Sequence, residues 1–142
     1  MVAGRSSYRH KVEALERLLA AEEGGKVREV GRIEPARRRS IVSMVIERAG
    51  FRCESPECAN PGFYAESHKG GPVLEVDHVD DLQFKGPDHP ANMIALCPNC
   101  HAVKTHAVDG DRLRRLFAVV VREQHANAML DDCPGSSPPS AP

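Results

Sequence analysis

The sequence contains no tryptophan and only six other aromatic residues among 142. Large aromatic side chains bury the most apolar area per residue, so their scarcity predicts a modest core that needs further stabilisation. No run of 18 apolar residues exists, and residues 1–10 lack the apolar block of a signal peptide. We therefore expect a soluble, cytoplasmic protein with no membrane contact. Its length suits one ordinary domain with tails.

Net charge is also nearly absent. The formal value of −1 excludes a strong overall attraction to nucleic acid. Charge is nevertheless uneven, because residues 26–52 contain eight basic and three acidic side chains. This segment is either a phosphate-facing surface or a solvated basic helix, and composition alone does not separate the two.

The pattern of apolar residues and turn formers predicts helices joined by irregular segments. Helices are expected over residues 8–23, 35–49 and 111–129, the last with Asp111 as its N-cap, and a shorter helix near Cys100. The other expected features are a knuckle and loop over 51–72, a short strand over 73–76, a polar loop over 80–90 and a disordered tail over 131–142.

Four of the five cysteines form two close pairs. Four residues separate Cys53 from Cys58, two separate Cys97 from Cys100, and 38 lie between the pairs. Two such pairs can place four thiolates on one tetrahedral ion, which predicts a structural zinc site that clips the intervening chain. A redox role for the second pair would require a thioredoxin-like strand and helix and would leave the first pair unexplained. Cys133 is interpreted as a spare thiol in the tail.

Polar residues around the second pair complete a motif. Asp77 and His78 follow the predicted strand, Asn92 comes 14 positions later, and His101 adjoins Cys100. Residues 73–106, VLEVDHVDDLQFKGPDHPANMIALCPNCHAVKTH, resemble HNH (ββα-metal) endonucleases, particularly those similar to modified-cytosine restriction nucleases. The match is specific because four cysteines and three signature residues agree in order and spacing.

The resemblance implies an α+β protein with a ββα-metal core, braced by the four-cysteine zinc site and flanked by helices. It implies a metal-dependent endonuclease that hydrolyses DNA phosphodiester bonds, with His78 as the general base. Asp77 and His101 would hold Mg²⁺ or Mn²⁺, and Asn92 would orient the loop and the base. These residue types suit the chemistry, because imidazole titrates near neutral pH and hard divalent ions prefer oxygen ligands.

The expected organisation is an N-terminal helix and basic linker over residues 1–34, the nuclease domain with zinc knuckles over 35–130, and the tail. The restriction-like relatives carry a separate domain that reads modified bases, and residues 1–34 are too short to be one. We therefore expect either low sequence specificity or a protein partner that supplies it.

Two other functions stay open from the sequence. One is a noncatalytic zinc module that binds nucleic acid through a set of exposed arginines: Arg37, Arg38, Arg39, Arg112, Arg114 and Arg115. The other is a protein-interaction domain with purely architectural zinc. His10, His68, His89 and His125 are interpreted as surface or loop histidines, because they lie outside the motif.

His106 distinguishes two metal-site geometries. Some family members have a further histidine four positions after the residue matching His101, which a helix keeps on one face; here that position is Thr105. His106 would lie about 140° around an unbroken helix from His101 and would point away. An earlier helix end would instead allow His106 to swing back toward the metal. We expect the unbroken helix.

Overall fold

A computed structural model of the chain describes residues 7–23, 35–79 and 88–130. The expectations for the basic linker, for residues 80–87 of the polar loop and for the tail with Cys133 lie outside these ranges. Among the described helices, none is long and apolar enough to cross a membrane.

Helices surround a two-stranded sheet in the described part of the chain. In chain order the elements are α1 (Tyr8–Glu23), α2 (Pro35–Arg48), β1 (Glu75–His78), a 3-10 helix (Pro90–Asn92), β2 (Met93–Leu96), α3 (Pro98–His106) and α4 (Gly110–Leu130). The strands pair antiparallel, with Glu75 opposite Leu96 and His78 opposite Met93. The α+β prediction is confirmed.

β2 is buried along its whole length and organises the core. Alternate side chains of a strand point to opposite faces, so β2 contributes to two apolar clusters. Ile94 and Leu96 pack with residues of α4 and the zinc-site cysteines, chiefly Leu113, Phe117, Val121, Cys97 and Cys100. Met93 and Ala95 pack with residues of α1 and α2, namely Val12, Leu15, Ile41, Met44 and Val45. The aromatic-poor core is thus built around one central strand.

The predicted starts of β1 and α4 are wrong. β1 begins at Glu75 rather than at residue 73, because the Val73 N–H donates to Ala65 O at 2.8 Å and commits residue 73 to the preceding loop. α4 begins at Gly110, so Asp111 lies inside its first turn and is not the cap. Gly110 also meets the end of α3 closely, since a Cβ there would lie 2.8 Å from the backbone oxygen of Lys104.

The predicted unbroken helix after the second cysteine pair is confirmed. α3 starts at Pro98, two residues before Cys100, and continues through His106. The Ala107 N–H still donates to Val103 O at 2.9 Å, so the helical hydrogen bonds persist to this end. His106 is exposed and lies away from the face that carries His101.

Candidate metal centre and active site

The four paired cysteines converge on one point. Cys53 and Cys58 come from the loop after α2, whereas Cys97 caps α3 and Cys100 lies in its first turn. Their sulfur atoms all lie within 4.8 Å of one another, and Cys58 Sγ is 3.8 Å from Cys97 Sγ. A tetrahedral zinc ion with bonds of about 2.3 Å separates its sulfur ligands by about 3.8 Å. The donor set and its spacing therefore fit zinc.

The thiol pKa values agree with a site that needs a cation. Burial raises the pKa of Cys53 and of Cys100 above that of an ordinary thiol. Burial also raises the pKa of Cys97, but the Cys100 N–H at 3.4 Å and the neighbouring thiols outweigh it, so the net shift is downward. Four neighbouring thiolates, two of them buried, would repel one another, and a bound divalent cation would remove that cost.

His78 ends β1 and faces a carboxylate that the sequence motif does not include. Its Nε2 lies in hydrogen-bond contact with Asp88 Oδ1. Both side chains are largely buried, with exposed fractions of 17% and 20%. A neutral imidazole that donates from Nε2 has its basic lone pair on Nδ1. Asp88 therefore fixes one tautomer of His78, although the two residues are ten positions apart in the sequence.

Asp77 and His101 lie side by side, as predicted. His101 Nε2 is 3.5 Å from Asp77 Oδ2, across the interface between α3 and β1. Two ligands at adjacent positions of an octahedral ion with bonds of about 2.1 Å would be about 3.0 Å apart. Hence a small closure of the gap would let both residues hold one Mg²⁺-like ion.

Two further charged side chains contact this pair. Glu75 Oε2 lies 2.7 Å from His101 Nδ1, on the opposite side of the ring from Asp77. Lys104 is buried and donates from Nζ to Asp77 Oδ2 at 2.6 Å and to His78 O at 3.0 Å. The sequence carried a signal for both, because Glu75 is two residues before Asp77 on a strand and Lys104 is three after His101 on a helix.

Burial raises the pKa of Asp77, but the hydrogen bond and charge of Lys104 lower it by more, and the His78 N–H assists. The net pKa is below the ordinary aspartate value. Asp77 is consequently an anion at neutral pH. Lys104 is buried and contacts this carboxylate rather than the solvent.

Asn92 anchors the segment next to the base through its backbone. Its carbonyl accepts from the Val79 N–H at 2.9 Å, one residue beyond His78, and its own N–H donates to His89 O at 2.8 Å. These bonds tie the 3-10 helix before β2 to the end of β1. The orienting role of the Asn92 side chain stays a prediction.

A buried ion pair, which the sequence motif gave no reason to expect, supports the same segment. The side chains of Arg48 and Glu54 are each 1% exposed. The Arg48 guanidinium donates to the Glu54 carboxylate from Nη2 at 2.7 Å and from Nε at 3.1 Å. Arg48 also donates to Pro90 O and to Met93 O, and Glu54 accepts from the Ala95 N–H at 2.9 Å. Arg48 was counted in the basic segment, but it is a core residue rather than a phosphate contact.

Two of the histidines outside the motif are not simple surface residues. His125 lies half-buried in α4, where its Nδ1 contacts Tyr8 Oη at 2.8 Å. Its ring also packs edge-on against those of Tyr8 and His89. His89 caps the 3-10 helix by accepting from the Ala91 N–H at 3.0 Å. His68 is exposed, as expected.

Several candidate DNA contacts have partners within the protein. Arg112 bonds to Glu57 at 2.7 Å and to Asp109 at 2.8 Å, and Arg114 bonds to Asp111 at 2.8 Å. The alternative of a binding module that uses these arginines is weaker for that reason. Arg52 stacks over the ring of Tyr64, 5.3 Å from its centroid.

Comparison with known proteins finds similarity over this region. Residues 53–107 match the family model of HNH endonucleases. A segment of 62 residues is 39% identical to the type IV methyl-directed restriction enzyme EcoKMcrA of Escherichia coli and covers 43% of this chain. The solved structure of the type IV phosphorothioation-dependent restriction endonuclease ScoMcrA aligns over 86% of this chain with a TM-score of 0.67 and 40% identity.

The chain spans only part of these relatives. The aligned regions correspond to 21% of EcoKMcrA and 23% of ScoMcrA. The similarity therefore concerns the cysteine-stapled region and the elements around it. It does not extend to most of either relative.

Proposed function

We propose that this chain, whose residues 53–107 form an HNH endonuclease domain, is a metal-dependent nuclease that hydrolyses DNA phosphodiester bonds. One observation carries the proposal: at the end of β1, His78 contacts Asp88, and the preceding residue, Asp77, lies beside His101 of α3. A base and an ion site carried by consecutive residues of one strand end supply two of the groups that phosphodiester hydrolysis by water requires.

His78 acts as the general base in this mechanism. The bond to Asp88 keeps the proton on Nε2, so Nδ1 takes a proton from the attacking water. The same carboxylate stabilises the imidazolium that results, because opposite charges in contact favour the charged form. The backbone of Asn92 and the Lys104 contact to His78 O keep the end of β1 in place.

Asp77 and His101 would hold Mg²⁺ or Mn²⁺ in this site. When bound, such an ion supplies charge stabilisation at the phosphoryl and leaving oxygens. The depressed pKa of Asp77 keeps its carboxylate available at neutral pH. The cysteine cluster would hold a structural zinc ion, which fixes the start of α3 and thereby the position of His101.

The similar proteins support the substrate class that we propose. Their names describe restriction of methylated or phosphorothioated material, and we transfer to this chain only the class of substrate, DNA. Specificity would come from a further domain or a protein partner. Cytoplasmic location is part of the proposal, because reduced thiols are required for the zinc site.

The test is cleavage of supercoiled plasmid by the purified, zinc-loaded protein in Mg²⁺, in Mn²⁺ and with EDTA. We expect nicking with the metals and none with EDTA. His78→Ala should abolish nicking while DNA binding survives, since it removes a transition-state role and leaves phosphate contacts intact. Asp88→Asn should lower the rate, and His68→Ala, at an exposed site, should be neutral.

Full nicking by His78→Ala would contradict the assignment of the base. DNA binding without cleavage in any metal would favour the noncatalytic module instead. A protein that neither binds nor cuts DNA would favour the protein-interaction domain.

A further inference from the structure

The imidazole of His101 lies between two carboxylates of the same strand. Glu75 Oε2 is 2.7 Å from Nδ1, and Asp77 Oδ2 is 3.5 Å from Nε2. Glu75 and Asp77 are two residues apart on β1, so their side chains share the face that meets α3. The two ring nitrogens therefore have different surroundings.

The shorter contact determines where the proton is. A neutral imidazole carries one N–H, and the carboxylate oxygen 2.7 Å from Nδ1 favours the tautomer with the proton on that nitrogen, because a lone pair on Nδ1 would face the negative charge. The lone pair then lies on Nε2, the nitrogen nearer to Asp77. A histidine ligand needs its lone pair on the nitrogen that faces the ion, and a carboxylate beside the other nitrogen favours this tautomer.

We propose that Glu75 is a positioning residue that holds His101 in the Nδ1–H tautomer and thereby raises the affinity of the Asp77 and His101 pair for a divalent ion. The inference rests on the proposed function, because it takes the ion to be the one assigned to that pair. Glu75 is not itself a ligand in this arrangement. It contacts the ring nitrogen that points away from Asp77.

Glu75 is suited to mutational tests of this role. Its side chain is about half exposed, so its substitution leaves no cavity in the core. Loss of such an outer carboxylate generally costs about 10- to 100-fold in metal affinity. The variants are Glu75→Ala, which removes the contact, and Glu75→Gln, which keeps a carbonyl oxygen and removes the charge. Glu123→Ala, at an exposed position of α4, is the control.

The first measurement is the tautomer of His101 by nitrogen NMR, at alkaline pH, on zinc-loaded protein without added Mg²⁺ or Mn²⁺. We expect Nδ1–H in the wild type and in Glu75→Gln, and a shift to Nε2–H in Glu75→Ala. An unchanged tautomer in Glu75→Ala would overturn the inference. This readout does not depend on nuclease activity.

The second measurement is Mn²⁺ affinity by titration calorimetry of the same zinc-loaded proteins. Glu75→Ala should bind Mn²⁺ about 10- to 100-fold more weakly, Glu75→Gln should be intermediate, and Glu123→Ala should match the wild type. Equal Mn²⁺ affinity for the wild type and Glu75→Ala would overturn the inference and leave the proposed function standing. No Mn²⁺ binding by the wild type would overturn the proposed ion site, whatever the tautomer.

Discussion

At the scale of single residues, Lys104 holds the end of β1 and the carboxylate of Asp77 in position. Its ammonium group contacts both Asp77 and the backbone of His78, so it joins the ion-binding side of the site to the base. A buried lysine requires such partners, because an isolated buried charge is costly. The cation lowers the pKa of Asp77 and keeps this carboxylate ionised over the neutral range.

The two histidines of α3 should differ sharply in their effect on metal dependence. His101→Ala removes the side chain next to Asp77 and should require much more Mg²⁺ for half-maximal nicking. His106→Ala should have little effect, because His106 is exposed and lies on another face of the unbroken helix. Nicking rates measured against metal concentration decide this, and equal losses would show that His106 is a ligand.

His125 should make stability depend on pH in the mildly acidic range. Burial lowers its pKa below the ordinary value of 6.5, and the charges of His89 and Arg48 lower it further, against a smaller opposing effect of Glu16. The unfolded chain therefore binds this proton more readily than the folded one. The stability that neutral His125 provides is complete above pH 6.5 and is lost as the pH falls through and below that value.

Thermal melting checks this contribution. His125→Gln removes the titrating group near Tyr8 and should give a Tm that falls less steeply than that of the wild type between about pH 7 and pH 5. His68→Gln, at an exposed position, should follow the wild type. Parallel pH profiles for the wild type and His125→Gln would show that this histidine contributes nothing to the slope.

At the scale of elements, the pair of Arg48 and Glu54 joins three pieces of the molecule. Arg48 ends α2, Glu54 follows the first zinc-site cysteine, and their outer bonds reach the backbone on both sides of Asn92. The site segment is therefore attached to the zinc knuckle and to α2 by a single buried network. Loss of this ion pair should therefore destabilise all three segments together.

Breaking this pair from one side should be costly. Arg48→Met leaves the Glu54 carboxylate buried without a cation, and we expect a loss of about 3–5 kcal/mol in the free energy of unfolding. The double variant Arg48→Met/Glu54→Gln should be more stable than Arg48→Met, because it removes the uncompensated charge. Denaturant titration of zinc-loaded protein measures both.

The surface pair of Lys11 and Glu47 provides the control. It has nearly the same length, 2.7 Å, but its side chains are 30% and 38% exposed. Lys11→Met should lower the free energy of unfolding by less than about 1 kcal/mol.

The contradicting outcome for the buried pair is a double variant Arg48→Met/Glu54→Gln that is less stable than Arg48→Met. This result would mean that the Glu54 carboxylate stabilises the fold mainly through Ala95 and not through the ion pair.

At the scale of the whole molecule, the four cysteines act as the staple that an aromatic-poor core requires. The cysteine cluster joins residues 53–58 to residues 97–100 and packs within the first apolar cluster of β2 and α4. Zinc binding at such sites supplies on the order of 10 kcal/mol of folding free energy. We expect one tightly bound zinc ion per chain.

Elemental analysis and melting test this expectation. Cys97→Ser should release the zinc and unfold the domain, and prolonged treatment with a strong chelator should do the same to the wild type. Cys133→Ser should change neither the zinc content nor the Tm. Native protein without zinc, or a Tm of Cys97→Ser equal to that of the wild type, would contradict the structural zinc site.

The sequence by itself indicated the cysteine cluster, the resemblance to HNH endonucleases and the proximity of Asp77 to His101. Ligand chemistry depends on residue type and spacing, and both are printed in the chain. Helical periodicity also placed α1 exactly where the structure has it and kept α3 unbroken, because local hydrogen bonding and apolar faces repeat along a helix.

Only the tertiary structure decided which charges serve the site. Asp88 contacts His78 from ten residues away, and Glu54 contacts Arg48 from beyond the end of α2, so no local pattern predicts either contact. The start of β1 was misplaced for a related reason, since residue 73 is held by a bond to Ala65 that lies outside the strand's own sequence. A charged residue in a sequence could equally face water, and its partner and burial are fixed only when distant segments pack together.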